Sequence, residues 1–429
     1  MLSQRLQLLH ESLQKLLRRG ANAHVERLLA RSRPVDVAVV MRFLDDRQRR
    51  QVFDLLPDDE IRAETLTEMD GHLIREVVAD RPTAELVPVV ASMSLDDQAD
   101  VLSALDDELR QQLIDALKPD EAEEVEDLLH YDPETAGGIM SPDFFALPED
   151  TTARQAIEAL QATEDVEMAF YIYVVNEHGH LVGVVSLRAL VTHPASTPLS
   201  QLMAADVISA RLDTDQEEVA RMAARYNLLA IPVVDDANML CGIVTIDDVI
   251  DVIREEATED ILKMAGADES AYEGHSLWKN FRTRAPWLFA TWLGGITASV
   301  LIGVFEARLE STVALAAFIP IVLGMGGNVG TQTATIIVRG LATGRVSGGV
   351  GIAYLARETG VGVLLGLLYG LLLAGYALFR YTGEDAGVST LALTVGLSIL
   401  ASMTAAASVG ALTPLIFDRL KIDPAVATG

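Results

Sequence analysis

The apolar residues of this chain change rhythm twice. Over residues 1–130 they recur at three- and four-residue spacing in short blocks, the period of amphipathic helices. The turns between blocks resemble one another: Phe43-Leu44-Asp45-Asp46, Leu56-Pro57-Asp58-Asp59, Leu95-Asp96-Asp97 and Leu105-Asp106-Asp107. Recurrent short helices entered through Asp predict an α-solenoid of stacked hairpins.

From about residue 141 the pattern becomes strands alternating with helices. Ala169 to Val175 and Leu181 to Ser186 read as a strand pair around the polar turn Asn176-Glu177-His178-Gly179-His180, and Leu187 to Val191 opens a helix. The order recurs at Ala230 to Val234, Met239 to Thr245 and Asp247 to Ile253, with helices expected over 152–163 and 215–226. Two copies about 60 residues apart predict a tandem α+β pair, about 141–200 and 201–256. His178 and His180 have a metal-ligand residue type, but their polar hairpin setting marks them as turn residues.

Past residue 275 the runs lengthen to membrane-spanning size. Pro286 to Phe305, Thr312 to Val338, Thr359 to Phe379 and Ala386 to Phe417 are uncharged for 20, 27, 21 and 32 residues, against the roughly 20 that cross a hydrocarbon core. They predict four complete spans, about 286–305, 312–338, 352–379 and 387–417, with Trp287 and Trp292 as interfacial anchors. Lys279, Arg282 and Arg284 precede the first span, Arg339, Arg345 and Arg357 follow the second, and Arg419 and Lys421 follow the fourth. The loops with Glu306, Arg308 and Glu310, and with Arg380, Glu384 and Asp385, are balanced or acidic. The positive excess predicts a cytosolic amino terminus in the cytoplasmic (inner) membrane. The fold class is therefore a multidomain α-helical membrane protein: α-solenoid, α+β tandem pair and polytopic helical transmembrane domain.

Charge sharpens that division. Of 33 Lys+Arg and 62 Asp+Glu, residues 276–429 hold only 10 and 7, so the acidity belongs to the soluble part. Such an excess excludes a nucleic-acid stripe and points to cations or a solvated surface. The single Cys241 offers no disulfide framework or thiolate metal site. No nucleophile-and-base pairing, zinc spacing or phosphate loop suggests an enzyme.

Two stretches carry candidate chemistry. Asp248, Asp251, Glu255 and Glu259 recur three to four residues apart, so one helix face collects carboxylates that repel unless a cation joins them. Mg2+, which keeps much of its water, suits such a face without a dedicated cage. Asp247 and Asp248 also read as a helix-start pair. In the second span, Pro320 to Thr333 places glycines, Asn328 and Gln332 where lipid-facing Leu belongs. Either a tight packing face or a wet cavity with local unwinding would accommodate them.

The chain resembles the MgtE family of Mg2+ channels. The resemblance rests on Met325-Gly326-Gly327-Asn328-Val329-Gly330-Thr331-Gln332 with Val338-Arg339-Gly340-Leu341-Ala342, on Tyr131-Asp132-Pro133-Glu134-Thr135-Ala136-Gly137 with Met140, and on Glu256-Ala257-Thr258-Glu259-Asp260. It implies an N domain (1–130), tandem CBS domains (131–256), a connecting plug helix (257–277) and a membrane domain (278–429) that ends at the start of a fifth span. It further implies a homodimer with the pore between membrane domains, held shut by cytosolic Mg2+. On matching positions, Asp248, Asp251, Glu256, Glu259 and Asp260 are the expected sensor carboxylates, joined by Asp96 and Asp100; Gly327, Asn328 and Asp423 lie along or near the pore. The family's fifth span bears an aspartate that selects hydrated Mg2+, and the sequence stops at Gly429, where that span is expected to begin. CBS pairs resemble adenosine-binding modules, so ATP could bind with Asp247 or Asp248 on its ribose. A nucleotide-controlled transporter of another divalent cation and a non-conducting Mg2+ sensor stand as alternatives.

Overall fold

The computed structural model describes residues 4–163, 170–267, 277–305, 313–343, 345–346, 351–381 and 387–428. It comprises two compact units, Met1–Arg254 and Glu255–Gly429, each with its own core.

The first unit opens with ten short helices, α1 (Gln4–Arg18) to α10 (Pro119–Leu129). Most pack on the helix two places along, the stacking that defines a solenoid, with α8 (Leu95–Ser103) against α10. One continuous core of Leu, Val and Met runs through them, including the fully buried Leu29, Met41, Val77 and Leu102. The Asp-rich turns are not equivalent. Asp45 and Asp58 are true N-caps, accepting from the backbone N–H of Gln48 and Ile61 at 2.9 Å. In α8 the N-cap is Ser94, so Asp96 and Asp97 fall inside the first turn, where Asp97 accepts from the Ser94 hydroxyl at 2.9 Å.

Each α+β module is a three-stranded sheet backed by helices. The first orders β1 (Ala146–Pro148), β2 (Tyr171–Val175) and β3 (Leu181–Ser186); the second orders β4 (Ala210–Arg211), β5 (Ala230–Val234) and β6 (Leu240–Thr245). In both, the short first strand runs parallel to the second and the third returns antiparallel. The short opening strands are additions to the sequence reading, being too brief for any alternation to register. Ala169, expected to begin a strand, lies outside the described residues. The helices α11 (Ala153–Ala162) and α14 (Gln216–Tyr226) precede the strand pairs, and the short α12 (Leu187–Thr192) and α13 (Leu199–Leu202) lie between β3 and β4. Asn176 Oδ1 accepts from the backbone N–H of His178 and His180 at 2.9 and 3.0 Å, so both histidines serve the turn.

The Tyr131–Met140 motif joins solenoid to modules. Ala136 N–H donates to Thr214 O at 2.7 Å and Gly137 N–H to Leu212 O at 3.0 Å. A Cβ at Gly138 would lie 2.3 Å from Asp132 O, which is why glycine stands there.

After β6 a single helix, α15, runs from Ile246 to Met264. The helix-start pair Asp247-Asp248 and the acidic Glu256–Asp260 segment thus share one element; residues 268–276 of the expected connecting helix (257–277) lie outside the described residues.

The second unit holds α16 (Leu277–Val304), α17 (Ile319–Ala342) preceded by a 3-10 turn (Val313–Phe318), α18 (Gly351–Arg380) and α19 (Val388–Arg419). Four helices among the described residues are long and apolar enough to cross a membrane. Thr312 and Ala386, expected span boundaries, and the loop residues Glu306, Arg308, Glu310, Glu384 and Asp385 lie outside the described residues. The third helix starts earlier than its uncharged run, taking in Arg357 and Glu358. Glu358 is buried and continues the stripe Gly362, Gly366, Gly370 that packs on α19.

Candidate functional site

The glycine-rich span resolves into two faces. It does not unwind: α17 is continuous through Gly324–Gly330. Gly326 and Gly330 face α19, where a Cβ at Gly326 would lie 2.4 Å from Ser402 Oγ and one at Gly410 would lie 2.4 Å from Gly330 O. Those glycines answer the demand for close packing, since side chains there would separate the helices. Gly327 and Asn328 are exposed, and a Cβ at Gly327 would meet nothing within 4 Å. The packing reading therefore applies to Gly326 and Gly330, while Gly327 and Asn328 lie off the packed face.

A first acidic cluster lies in the first unit, where α8 and the start of α15 bring carboxylates together. Burial pushes Asp248 up to about 7, with Asp96 and Asp247 adding to it and hydrogen bonds from Thr245 opposing. Burial likewise pushes Asp97 up to about 6, reinforced by Asp96, Asp247 and Glu68 and opposed by the Ser94 hydroxyl. Glu68 is raised by burial and by Asp251, against Arg254 and Arg42. Thr245 Oγ lies 2.6 Å from Asp247 Oδ1 and 2.5 Å from Asp248 Oδ2, and its single proton serves one of them at a time. Asp96 Oδ1 is buried with no hydrogen-bond partner. Like charges this close are unfavourable in a low dielectric unless a proton or cation offsets them.

A second cluster lies in the second unit around the end of α15. Lys263 Nζ is 2.7 Å from Asp423 Oδ2 and 2.5 Å from Glu259 Oε1. Burial works to lower Lys263, but its hydrogen bonds to Asp423 and Glu259 outweigh that and hold it well above the usual lysine value. Asp260 is raised by burial and by Asp423, with Lys263 and Arg339 pulling the other way.

Of the carboxylates singled out in the sequence, Asp96, Asp247, Asp248 and Asp251 thus interact through the first cluster, and Glu259, Asp260 and Asp423 through the second. Asp100 and Glu255 are exposed and Glu256 is half-buried. Sequence reasoning missed Asp97, Glu68 and Lys263. Asp97 had a local signal, its adjacency to Asp96 in a first turn; Glu68 and Lys263 act through partners distant in sequence. Among the described residues no group of three or more His, Cys, Asp or Glu is arranged to hold a metal ion directly.

A solenoid, a paired α+β module and a helical membrane domain, joined through one carboxylate-rich helix, place the chain among membrane proteins with large soluble domains. Three family models match in order: the MgtE intracellular N domain over 32–134, the CBS domain over 136–196 and 199–255, and MgtE, a divalent cation transporter, over 319–429. The magnesium transporter MgtE of Thermus thermophilus is 37% identical over 423 residues, covering 97% of this chain and 92% of that one. That of Bacillus subtilis is 32% identical over 419 residues, covering 96% and 91%. The chain belongs to the MgtE family of magnesium transporters, which are not enzymes. A crystal structure of the cytosolic domain of the Mg2+ channel MgtE in complex with ATP matches with a TM-score of 0.54 at 38% identity, over 57% of this chain and 99% of that one. The soluble part of a magnesium transporter matches at 0.52 and 30%, over 59% and 99%.

Proposed function

We propose that this chain takes up Mg2+ across the cytoplasmic membrane as a homodimer and is closed by cytosolic Mg2+. The carrying observation is that α15 supplies carboxylates to both acidic clusters, Asp247, Asp248 and Asp251 near its start and Glu259 and Asp260 near its end. Without Mg2+, Asp248 is repelled by Asp96 and Asp247, and Asp260 by Asp423; with it, a bridged closed state gains. Closing from 1:99 to 99:1 takes about 5.5 kcal/mol of differential binding, which several weak shared sites supply more readily than one. Asp96, Asp100, Asp248, Asp251, Glu255, Glu256, Glu259 and Asp260 are the sensor set, and Gly327, Asn328 and Asp423 line or adjoin the pore. Amino terminus and CBS modules face the cytosol, following the distribution of Lys and Arg.

ATP joins as a modulator at the CBS modules, with Asp247 as the ribose partner. The support is the ATP complex of the similar cytosolic domain and the exposed position of Asp247 beside Thr245.

The test is Mg2+ uptake into proteoliposomes holding the full chain, with internal Mg2+ varied. Uptake that falls as internal Mg2+ rises is expected. Uptake indifferent to internal Mg2+ defeats the gating, and no uptake of Mg2+, Mn2+ or Co2+ moves the reading to a non-conducting sensor. An ATP titration of wild type and Asp247→Asn tests the nucleotide site, and equal affinity for ATP in the two defeats the ribose assignment.

A further inference from the structure

A cavity of about 130 Å³ lies where the ends of α17, α18 and α19 converge, and its lining includes Val346, Gly351, Leu355, Leu412, Leu415, Asp418 and Arg419. Local sequence builds it. The chain leaving α17 turns back so that Val346 N–H donates to Gly340 O at 2.9 Å, and a Cβ at Gly340 would lie 2.6 Å from Val346 Cγ2. Gly351, the first residue of α18, lets Leu415 approach to 3.2 Å of where its Cβ would stand. The walls are thus aliphatic and the charge sits at one side.

The side chains of Leu341, Leu355, Leu412, Leu415 and Ile416 on its walls favour methylene groups, which gain dispersion contacts there. Its place, at helix ends flanked by Arg339, Arg345 and Arg419, is that of a membrane interface. Neither Arg419 nor Arg345 forms an ion pair among the described residues, and both are exposed. An apolar cleft with a free guanidinium at its rim matches a molecule with methylenes at one end and negative charge at the other.

We infer that this cleft seats the interfacial end of one anionic phospholipid, the first few methylenes of an acyl chain against Leu355, Leu412 and Leu415 and the phosphate on Arg419, the rest of the lipid staying in the bilayer. The orientation proposed above enters only in assigning the lipid to the cytosolic leaflet, where anionic lipids are attracted to basic flanks. Asp418, on the same rim, opposes the headgroup and sets the sign of a second test.

The experiment is lipid retention by the purified full chain in detergent, read by native mass spectrometry with phosphatidylglycerol and phosphatidylcholine vesicle lipids as probes and inorganic phosphate as the soluble control. One tightly held phosphatidylglycerol per chain is expected, with phosphate alone failing to compete. Arg419→Gln should lower the preference for phosphatidylglycerol about fivefold, and Asp418→Asn should raise it. Leu355→Trp, filling the cleft, should lower retention of both lipids by about fourfold for each methylene displaced. Unchanged thermal unfolding of that variant shows that it folds. Retention indifferent to all three substitutions overturns the proposal, as does efficient disulfide cross-linking of two Leu355→Cys chains, which would mean that a second copy covers the cleft. Because retention is read without transport, its failure is distinct from a failure of Mg2+ uptake.

Discussion

Lys263 Nζ donates to Asp423 Oδ2 at 2.7 Å while also holding Glu259 Oε1 at 2.5 Å. The ammonium occupies the place between two carboxylates that a cation joining α15 to the segment after α19 would take. A tethered positive charge there competes with free Mg2+. Lys263→Met should therefore lower the internal Mg2+ needed for half-closure by about twofold to fivefold, the range of a partly exposed ion pair. Dose-response of uptake into proteoliposomes measures it. A shift toward higher Mg2+ would instead make Lys263 a support of the closed state.

Asp248 makes the first cluster sensitive to pH. Its carboxyl titrates near 7 in the folded chain against 3.8 for the ordinary group, because burial and then Asp96 and Asp247 disfavour the charged form. The folded state thus holds the proton more tightly than the unfolded one. The resulting stabilisation is complete below about 3.8 and is lost as pH rises through about 7. Asp248→Asn stays neutral, so without Mg2+ its stability relative to wild type should rise across that window, by at most about 4 kcal/mol. Chemical unfolding at several pH values tests this; parallel curves for the two proteins contradict it. Added Mg2+ should shrink the gap by stabilising the wild type at high pH.

Much of this was readable in the sequence, and the rest was not for physical reasons. Spans and repeats are periodic, so α17 to α19 and the strand pairs announce themselves in local composition. The strands β1 and β4 are three and two residues long and carry no period. The Asp-rich turns looked alike, yet a one-residue difference in capping leaves Asp45 and Asp58 bonded to backbone and sets Asp96 and Asp97 inside the first turn, with Asp97 on the Ser94 hydroxyl. The pairing of Lys263 with Asp423 spans 160 positions, so only the folded chain reveals it.

The sensor reading makes a sharper demand on the end of α15. Replacing Glu256, Glu259 and Asp260 together by amides removes the charges that Mg2+ would bridge while keeping side-chain size. Uptake should then stay high at millimolar internal Mg2+ where the wild type closes. Normal closure in this variant sinks the sensor assignment, and loss of uptake at every Mg2+ level points to a structural role instead.

The two faces of α17 can be separated by single methyl groups. A Cβ at Gly410 would lie 2.4 Å from Gly330 O, a backbone atom that cannot swing aside, so Gly410→Ala must push α17 and α19 apart. Overpacking of that kind typically costs about 1–3 kcal/mol, and thermal unfolding in detergent should fall accordingly. Gly327 has open space around its Cβ position and stands beside the exposed Asn328. Gly327→Ala should therefore fold with unchanged stability, and a change in Mg2+ uptake by this variant would report on the cation path alone. If Gly327→Ala also destabilises the protein, the exposed face of α17 is an interface under packing constraint and not a pore wall. If it alters neither stability nor uptake, the cation path lies elsewhere on the membrane domain.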